Sequence, residues 1–243
     1  MGAIVTSLLL AAGVGFFALT MLYRVRPLLK MGKDNRFDRL EERFEALVNF
    51  GLGQKRMTDP EEFIPGMMHV LIFAAFLVLQ IRTGWMFAMG FAGWDFQLPL
   101  LGHGEPLGAV YGFIKEAVVV LALLGVGYFL YLRLIRTPDR LTRSAEAVLI
   151  LGFIGGLMVT ELLFEGGQLA KQGEPWHLYS FASSTVALAL AGLSPGVLDV
   201  ISGFGFWTHL VIVLTFLNFL PYGKHFHVIT GLPNVFFKRL RPS

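Results

Sequence analysis

The stretch ISGFGFWTHLVIVLTFLNFLPYGKHFHVIT, residues 201–230, gives the clearest indication of the fold. Before Pro221 its only polar side chains are small hydroxyl groups, Asn218 and one histidine. A basic residue, Lys224, follows soon after Pro221. Because a bilayer core takes about 20 helical residues, the stretch predicts a transmembrane helix. We expect this helix to begin near residue 201 and to continue past Pro221 to about residue 229.

Four further segments reach the same apolar length, at residues 3–22, 64–92, 107–132 and 145–165. The chain is 55% hydrophobic and 15% charged over 243 residues, a composition that a soluble domain of this size would struggle to bury. The sequence therefore predicts an all-α integral membrane protein, with one domain over residues 1–243 built as a five-helix bundle. Two shorter pieces are expected to lie at the membrane surfaces, an amphipathic segment at 34–50 on the inner side and a helix at 178–193 on the outer side.

The distribution of basic residues predicts the orientation of the spans. Lysine and arginine are frequent in residues 23–63, in residues 133–143 and near the end of the chain, whereas residues 94–106 contain neither and residues 166–200 contain only Lys171. Positive residues mark the cytoplasmic side of a membrane protein. We therefore expect the N-terminus outside and the C-terminus in the cytoplasm, in a multi-pass protein.

The lack of cysteine limits the chemistry of the chain. Disulfides, thiolate-bound zinc and an iron–sulfur cluster ligated by this chain are excluded. Any metal or redox site must therefore rest on the six histidines.

Histidines in two of the spans predict a haem site. His69 lies early in the second span, and a continuous fifth helix would place His209 and His227 on one face, since their separation equals about five full turns. His227 would then reach the depth of His69, and two such imidazoles suit the iron of a b-type haem. His225 would face nearly the opposite way, toward headgroups, a partner or a haem propionate, which Lys224 also suits. A zinc or copper site on the two neighbouring histidines would require the helix to have ended before them.

A second haem would use His209. The residues about ten positions beyond His69 are Leu79 and Gln80, which are not usual iron ligands. His103 or His177, both in outer loops, could supply the missing imidazole. Otherwise His209 could hydrogen-bond a quinone carbonyl.

Charged residues in the outer halves of the spans predict a quinone site. Lys115 and Glu116 lie in the third span, and the fourth span ends with Glu161 and Glu165. Quinone chemistry needs a hydrogen-bond donor at a carbonyl and a titratable group, so this group could form the pocket. The same residues could instead only pair with one another or reach toward the interface. Arg82, at the outer end of the second span, is a second candidate for a propionate.

Two segments resemble a known family. The segment HLVIVLTFLNFLPYGKHFHVITGLPNVFFKRL, residues 209–240, strongly resembles the end of the membrane domain of bacterial heterodisulfide-reductase-type iron–sulfur oxidoreductases, including those that link electron-transfer flavoprotein to menaquinone. The segment EEFIPGMMHVLIFAAF, residues 61–76, adds to the resemblance. More distantly, the five-span plan resembles the gamma (cytochrome b) subunit of respiratory nitrate reductase.

The resemblance implies a cytochrome b of the bacterial inner membrane that passes electrons between quinone and a cytoplasmic iron–sulfur partner. By this resemblance, His69 and His227 match the inner haem pair and His209 matches one ligand of an outer haem. Lys115 has the position of a quinone-contacting lysine. The chain departs from the nitrate-reductase pattern at residues 79–80, where that pattern has a fourth histidine.

The sequence thus favours a haem b subunit of a quinone-linked oxidoreductase that is not catalytic alone and has menaquinone as its expected electron acceptor. Electron-transfer flavoprotein is a candidate partner, and no nucleic-acid partner is expected. Two alternatives remain open, a haem-free anchor or assembly subunit of a respiratory complex and a small transporter. A visible spectrum of the purified chain separates them, because only the first carries a b-type band.

Overall fold

The chain folds into helices throughout the part described by the computed structural model, which covers residues 2–32, 34–58, 60, 63–102, 104–136, 144–174 and 176–240, without the side chains of residues 56, 58 and 224. No strand occurs among these residues. In chain order the α-helices are α1 Gly2–Val25, α2 Leu40–Ala46, α3 Phe63–Ala92, α4 Pro106–Tyr131, α5 Ala145–Gln172, α6 Phe181–Leu190, α7 Pro195–Phe219 and α8 His227–Phe236.

Five of these helices, α1, α3, α4, α5 and α7, are long and apolar enough to cross a membrane, which confirms the all-helical, five-span prediction to that extent. Helix α5 continues to Gln172, and Gly173 ends it in the left-handed conformation that favours glycine, with φ 66°. Helix α7 begins at Pro195, earlier than expected, because proline fits the first turn of a helix, where its missing N–H has no intrahelical partner.

The prediction that the last long helix continues past Pro221 is wrong. Helix α7 ends at Phe219, and a 3₁₀ turn at Leu220–Tyr222, an extended Gly223 and a second 3₁₀ turn at Lys224–Phe226 separate it from α8. Proline lacks the N–H that the α-helical ladder needs, and its ring clashes with the carbonyl one turn earlier. The helical-face argument that put His209 and His227 on one stripe therefore does not apply.

The chain divides into two compact units. The first contains Met1–Leu10 and Leu71–Leu214. It has two apolar clusters, formed by Trp85, Met86, Met89, Phe164, Phe206 and Leu210, and by Ala75, Leu79, Val119, Ala122 and Met158. Glycines allow helix α5 to pack closely against α6 and α7 in this unit. A Cβ at Gly166 would lie 2.7 Å from Val186 of α6, and a Cβ at Gly205 of α7 would lie 2.7 Å from the Phe164 nitrogen of α5.

The second unit contains Ala11–Val70 and Thr215–Ser243. Helix α2 continues into a π-helical turn at Leu47–Leu52, so most of the predicted amphipathic segment is helical. Phe44 packs edge-on against Phe236 at the end of α8, with ring centroids 5.3 Å apart. Arg43 stabilises the same contact, because its guanidinium donates hydrogen bonds to the carbonyls of Phe236 and Lys238. The Arg43 side chain is buried, with 2% of its surface exposed.

Candidate functional site

Three histidine rings lie together in the second unit. His69 is in α3 and His227 is the first residue of α8, and their ring centroids are 6.4 Å apart with planes inclined by 37°. The ring of His225 lies 6.2 Å from that of His227, with planes inclined by 39°. His225 was expected on nearly the opposite face of a continuous helix. That expectation is wrong, because the chain changes direction between α7 and α8.

The spacing of His69 and His227 fits two axial ligands of one iron. An imidazole centre lies about 1.1 Å from its nitrogens and a metal–nitrogen bond is about 2 Å long, so two axial imidazoles have centres about 6 Å apart. The 37° between the planes does not conflict with this arrangement, since each ring can rotate about the nitrogen–iron axis. His69 is half-buried and His227 is exposed, so both rings are accessible to an added group.

The rings of His225 and His227 have a similar spacing, but these two residues are close neighbours in the sequence. Only Phe226 separates the two residues, and a flat macrocycle placed between their rings would collide with the backbone that joins them. A small ion would not meet this obstacle, but zinc sites usually need three or four protein ligands. Within the described ranges, no group of three or more His, Cys, Asp or Glu side chains could hold a metal ion. The donor set therefore fits a haem better than a protein-only metal site.

His209 is buried in the first unit, on α7. Its Nδ1 lies 3.2 Å from the Leu157 carbonyl and 3.2 Å from the Thr160 hydroxyl. A carbonyl can only accept, so Nδ1 carries the proton of a neutral ring and Nε2 is the basic nitrogen, as in many metal-ligating histidines. His103 lies outside the described residues. His177 stacks on Tyr179 with centroids 4.8 Å apart, and no described ring contact joins it to His209.

A buried charged cluster occupies the same unit, and it contains Arg82, Lys115, Glu116, Glu161 and Glu165. Arg82 Nε lies 2.6 Å from Glu161 Oε1, and its Nη2 lies 3.2 Å from Glu165 Oε2. Lys115 Nζ lies 3.0 Å from Glu116 and 3.4 Å from Glu161, and it also pairs with Glu165. Charges in an apolar surrounding must be paired to be tolerated.

The cluster brings together the predicted quinone candidates Lys115, Glu116 and Glu161. It also includes Arg82, whose guanidinium donates to the carboxylates of Glu161 and Glu165. Glu116 has a further structural contact, because it accepts hydrogen bonds of 2.7 and 2.8 Å from the backbone N–H and hydroxyl of Ser183 on α6. Glu116 therefore ties α4 to α6.

A cavity of about 560 Å³ opens beside this cluster. Glu116 and Glu161 are not among its lining residues, whereas the lining includes Arg82, Trp85, Tyr111, Lys115, Glu165 and Gln168. Gln168 and the two aromatic residues were not predicted from the sequence. One signal could have identified Gln168: it follows Glu161 and Glu165 at the i, i+4, i+7 spacing that keeps residues on one helical face.

Two known proteins are similar to this chain. The Probable iron-sulfur-binding oxidoreductase FadF of Bacillus subtilis (strain 168) is 34% identical over 226 residues, which is 88% of this chain and 30% of that protein. The EtfAB:quinone oxidoreductase of Syntrophomonas wolfei is 26% identical over 227 residues, 89% of this chain and 30% of that protein. No family model and no solved structure matches the chain.

The chain thus spans about a third of the length of these relatives. Both are named as oxidoreductases, one for iron–sulfur binding and the other for EtfAB and quinone. These names agree with the heterodisulfide-reductase-type resemblance of residues 209–240. The chain is therefore similar to a part of electron-transfer oxidoreductases, and this part has five helices that could cross a membrane.

Proposed function

We propose that the chain is a haem b-binding membrane subunit or segment that transfers electrons between a cytoplasmic iron–sulfur or flavoprotein partner and membrane quinone. The observation that carries this proposal is the 6.4 Å separation of the His69 and His227 rings, which suits one shared iron. The names of the two relatives support the electron-transfer context. Menaquinone is the acceptor we propose, from the family resemblance.

His69 and His227 would hold the haem iron. A haem bound there would supply one-electron transfer. The protein would contribute one imidazole from each of two separate helices, α3 and α8, and these would orient the group. His225, whose ring lies 6.2 Å from that of His227, is proposed to contact a propionate, and Lys224 is a second candidate from its position in the sequence.

The cavity in the first unit is proposed as the quinone site. Its volume of about 560 Å³ lies within the range of about 300–1,000 Å³ that is usual for small-molecule pockets. Trp85 and Tyr111 provide apolar ring surface on its wall, and Glu165 provides a titratable group. Lys115 and Arg82 hold that carboxylate in place.

The topology and the partner are proposed from the charge distribution. The basic segments would lie in the cytoplasm of a bacterium, with the iron–sulfur partner docked near residues 224–240. His209 would be one ligand of an outer haem, with His103 as the candidate partner, or would hydrogen-bond the quinone. Its Nδ1 contact with the Leu157 carbonyl supports either use, because that contact leaves Nε2 as the accepting nitrogen.

A reduced-minus-oxidised visible spectrum of the chain, expressed in a haem-producing host and purified in mild detergent, tests this function. We expect a b-type band with about one haem per chain. A folded chain without this band would contradict the proposal and favour the haem-free anchor. Co-purification of an iron–sulfur protein in the same detergent would identify the electron-transfer partner.

A further inference from the structure

Gln168 has a buried hydrogen-bond donor that the protein does not use. The residue lies on α5 and lines the cavity. Its amide nitrogen Nε2 is buried and has no hydrogen-bond partner in the described part of the chain. A buried amide group without a partner costs free energy, so native proteins rarely retain one without a use for it. An acceptor atom placed in the cavity would satisfy it.

The charged side chains around the cavity are already engaged. The Lys115 ammonium has three N–H groups, and three carboxylates, those of Glu116, Glu161 and Glu165, lie against it. Arg82 uses Nε and Nη2 on Glu161 and Glu165. A ligand oxygen that took a proton from Lys115 would therefore compete with a buried carboxylate.

Two aromatic donors on the wall also have acceptors. Trp85 Nε1 donates to the Phe96 carbonyl at 2.9 Å, and the Tyr111 hydroxyl reaches the Val78 carbonyl at 3.4 Å. On the wall next to the charged cluster, Gln168 Nε2 is thus a buried donor that has no acceptor in the described part of the chain. This difference separates Gln168 from Lys115, the residue that the sequence favoured.

We infer that Gln168 donates a hydrogen bond to a carbonyl oxygen of a quinone bound in the cavity, and that Lys115 acts by holding Glu161 and Glu165. This inference rests on the quinone site proposed above. An amide also has an accepting oxygen, so a rotated Gln168 side chain can accept from the hydroxyl of the reduced ligand. One residue can therefore bind both redox forms without changing its charge.

Binding of 2-methyl-1,4-naphthoquinone labelled with ¹³C at its carbonyls tests the inference on the full chain, with equilibrium dialysis and infrared spectroscopy as the two readouts. We expect Gln168→Met, which keeps the volume but removes the amide, to raise the Kd roughly tenfold, the usual effect of one hydrogen bond. The matched control is Gln80→Leu. Gln80 is exposed on α3, and its Nε2 donates to the Phe76 carbonyl one turn earlier in the same helix. It does not line the cavity, so the Kd should not change.

The infrared spectrum separates a direct contact from a structural effect. In the wild-type complex one labelled carbonyl band should lie below that of the free quinone, and Gln168→Met should return it to the free position. Two unshifted bands in the wild type would overturn the inference without any variant. An unchanged Kd and band in folded Gln168→Met would also overturn it, but the quinone proposal would stand. Failure of the wild-type chain to bind the probe would overturn both.

Discussion

The buried charged cluster and the histidine pair are polar regions of opposite character. In the cluster, two cations and three carboxylates are paired at 2.6–3.4 Å, so the polypeptide alone supplies almost every partner that the charges need. The rings of His69 and His227 lie with centroids 6.4 Å apart and planes inclined by 37°, farther apart than the stacked rings of His177 and Tyr179 at 4.8 Å.

This difference indicates what each region requires. A cluster of paired charges is destabilised when its balance of charge is disturbed, so it behaves as a structural unit whose outer edge forms a pocket wall. Two facing imidazoles gain little from each other, and when both are protonated they repel. The proposal that a haem iron lies between them gives these two rings a common partner. The charged cluster is thus held mainly by partners within the protein, whereas the histidine pair is the region for which we propose a cofactor.

The largest effect is expected from removing either member of the histidine pair. His69→Ala or His227→Ala leaves the iron with one axial imidazole, and we expect loss of the bound haem. The pyridine haemochrome absorbance per mole of purified chain measures this loss. The same substitutions should change the unfolding temperature of the haem-free chain little, because His69 is only half-buried and His227 is exposed.

His225→Ala is the matched control for the histidine pair. It removes an imidazole two positions from His227 and 6.2 Å from its ring, but the haem should be retained. Loss of the haem in His225→Ala, combined with its retention in His69→Ala, would contradict the proposal that His69 and His227 hold the iron.

The charged cluster should respond to a change in its balance of charge. Arg82 and Lys115 give two positive charges against three negative ones, so Arg82→Met raises the excess from one negative charge to two, whereas Glu161→Gln removes it. Leaving buried charges without a partner typically costs about 3–5 kcal/mol. We expect a loss of this size for Arg82→Met and a clearly smaller one for Glu161→Gln, measured by thermal or denaturant unfolding in detergent.

An exposed ion pair provides the control for the cluster. Lys171 and Asp199 are 2.5 Å apart, and their side chains are 39% and 48% exposed. Exposed pairs contribute about 0–1 kcal/mol, so Lys171→Met should change the free energy of unfolding by no more than that. Equal losses for Arg82→Met and Glu161→Gln would show that size and packing, not charge balance, govern the cluster.

The sequence predicted the five long helices because span length and hydropathy follow from the bilayer thickness alone. It did not predict the break after α7, since a proline within an apolar run can either bend a helix or end it. Here an extended Gly223 follows Pro221, and two short 3₁₀ turns replace the helix. The pairing of His69 with His227 was therefore predicted from a continuous helix past Pro221, which the chain does not have. The two rings nevertheless lie close together.

Only the charged residues of the candidate quinone site were predicted from the sequence. A charge in an apolar span stands out, so Lys115, Glu116 and Glu161 could be singled out from the sequence. Gln168 carries no charge, and its importance depends on having an unused donor, which only the packing of α5 reveals. The engagement of Arg82 by two carboxylates likewise depends on which faces of α3 and α5 meet.

The next effect, of intermediate size, concerns the anchoring of the helix that carries His227. Arg43 is buried like Arg82, but it donates mainly to backbone carbonyls, those of Asp38, Phe236 and Lys238. Arg43→Met leaves these acceptors without their donor, at a cost of about 1–3 kcal/mol. Hydrogen exchange should therefore increase in residues 38–52 and 227–238 and remain unchanged in α5. Arg39→Met, which removes an exposed ion pair with Glu42, should leave exchange in both regions as it was.

The smallest effect is expected from pH at the same anchor. The Arg43 guanidinium, which lies 2.6 Å from Asp38 Oδ1, lowers the pKa of this exposed carboxyl below its usual value. A carboxyl with a lowered pKa stabilises the folded state above its ordinary pKa, and the contribution is lost as the pH falls through the lowered value. Hydrogen exchange of residues 38–52 should therefore rise as the solution is acidified below about pH 4. Asp38→Asn should remove part of that rise, whereas an identical pH profile in the variant would show that Arg43 is held by the carbonyls alone.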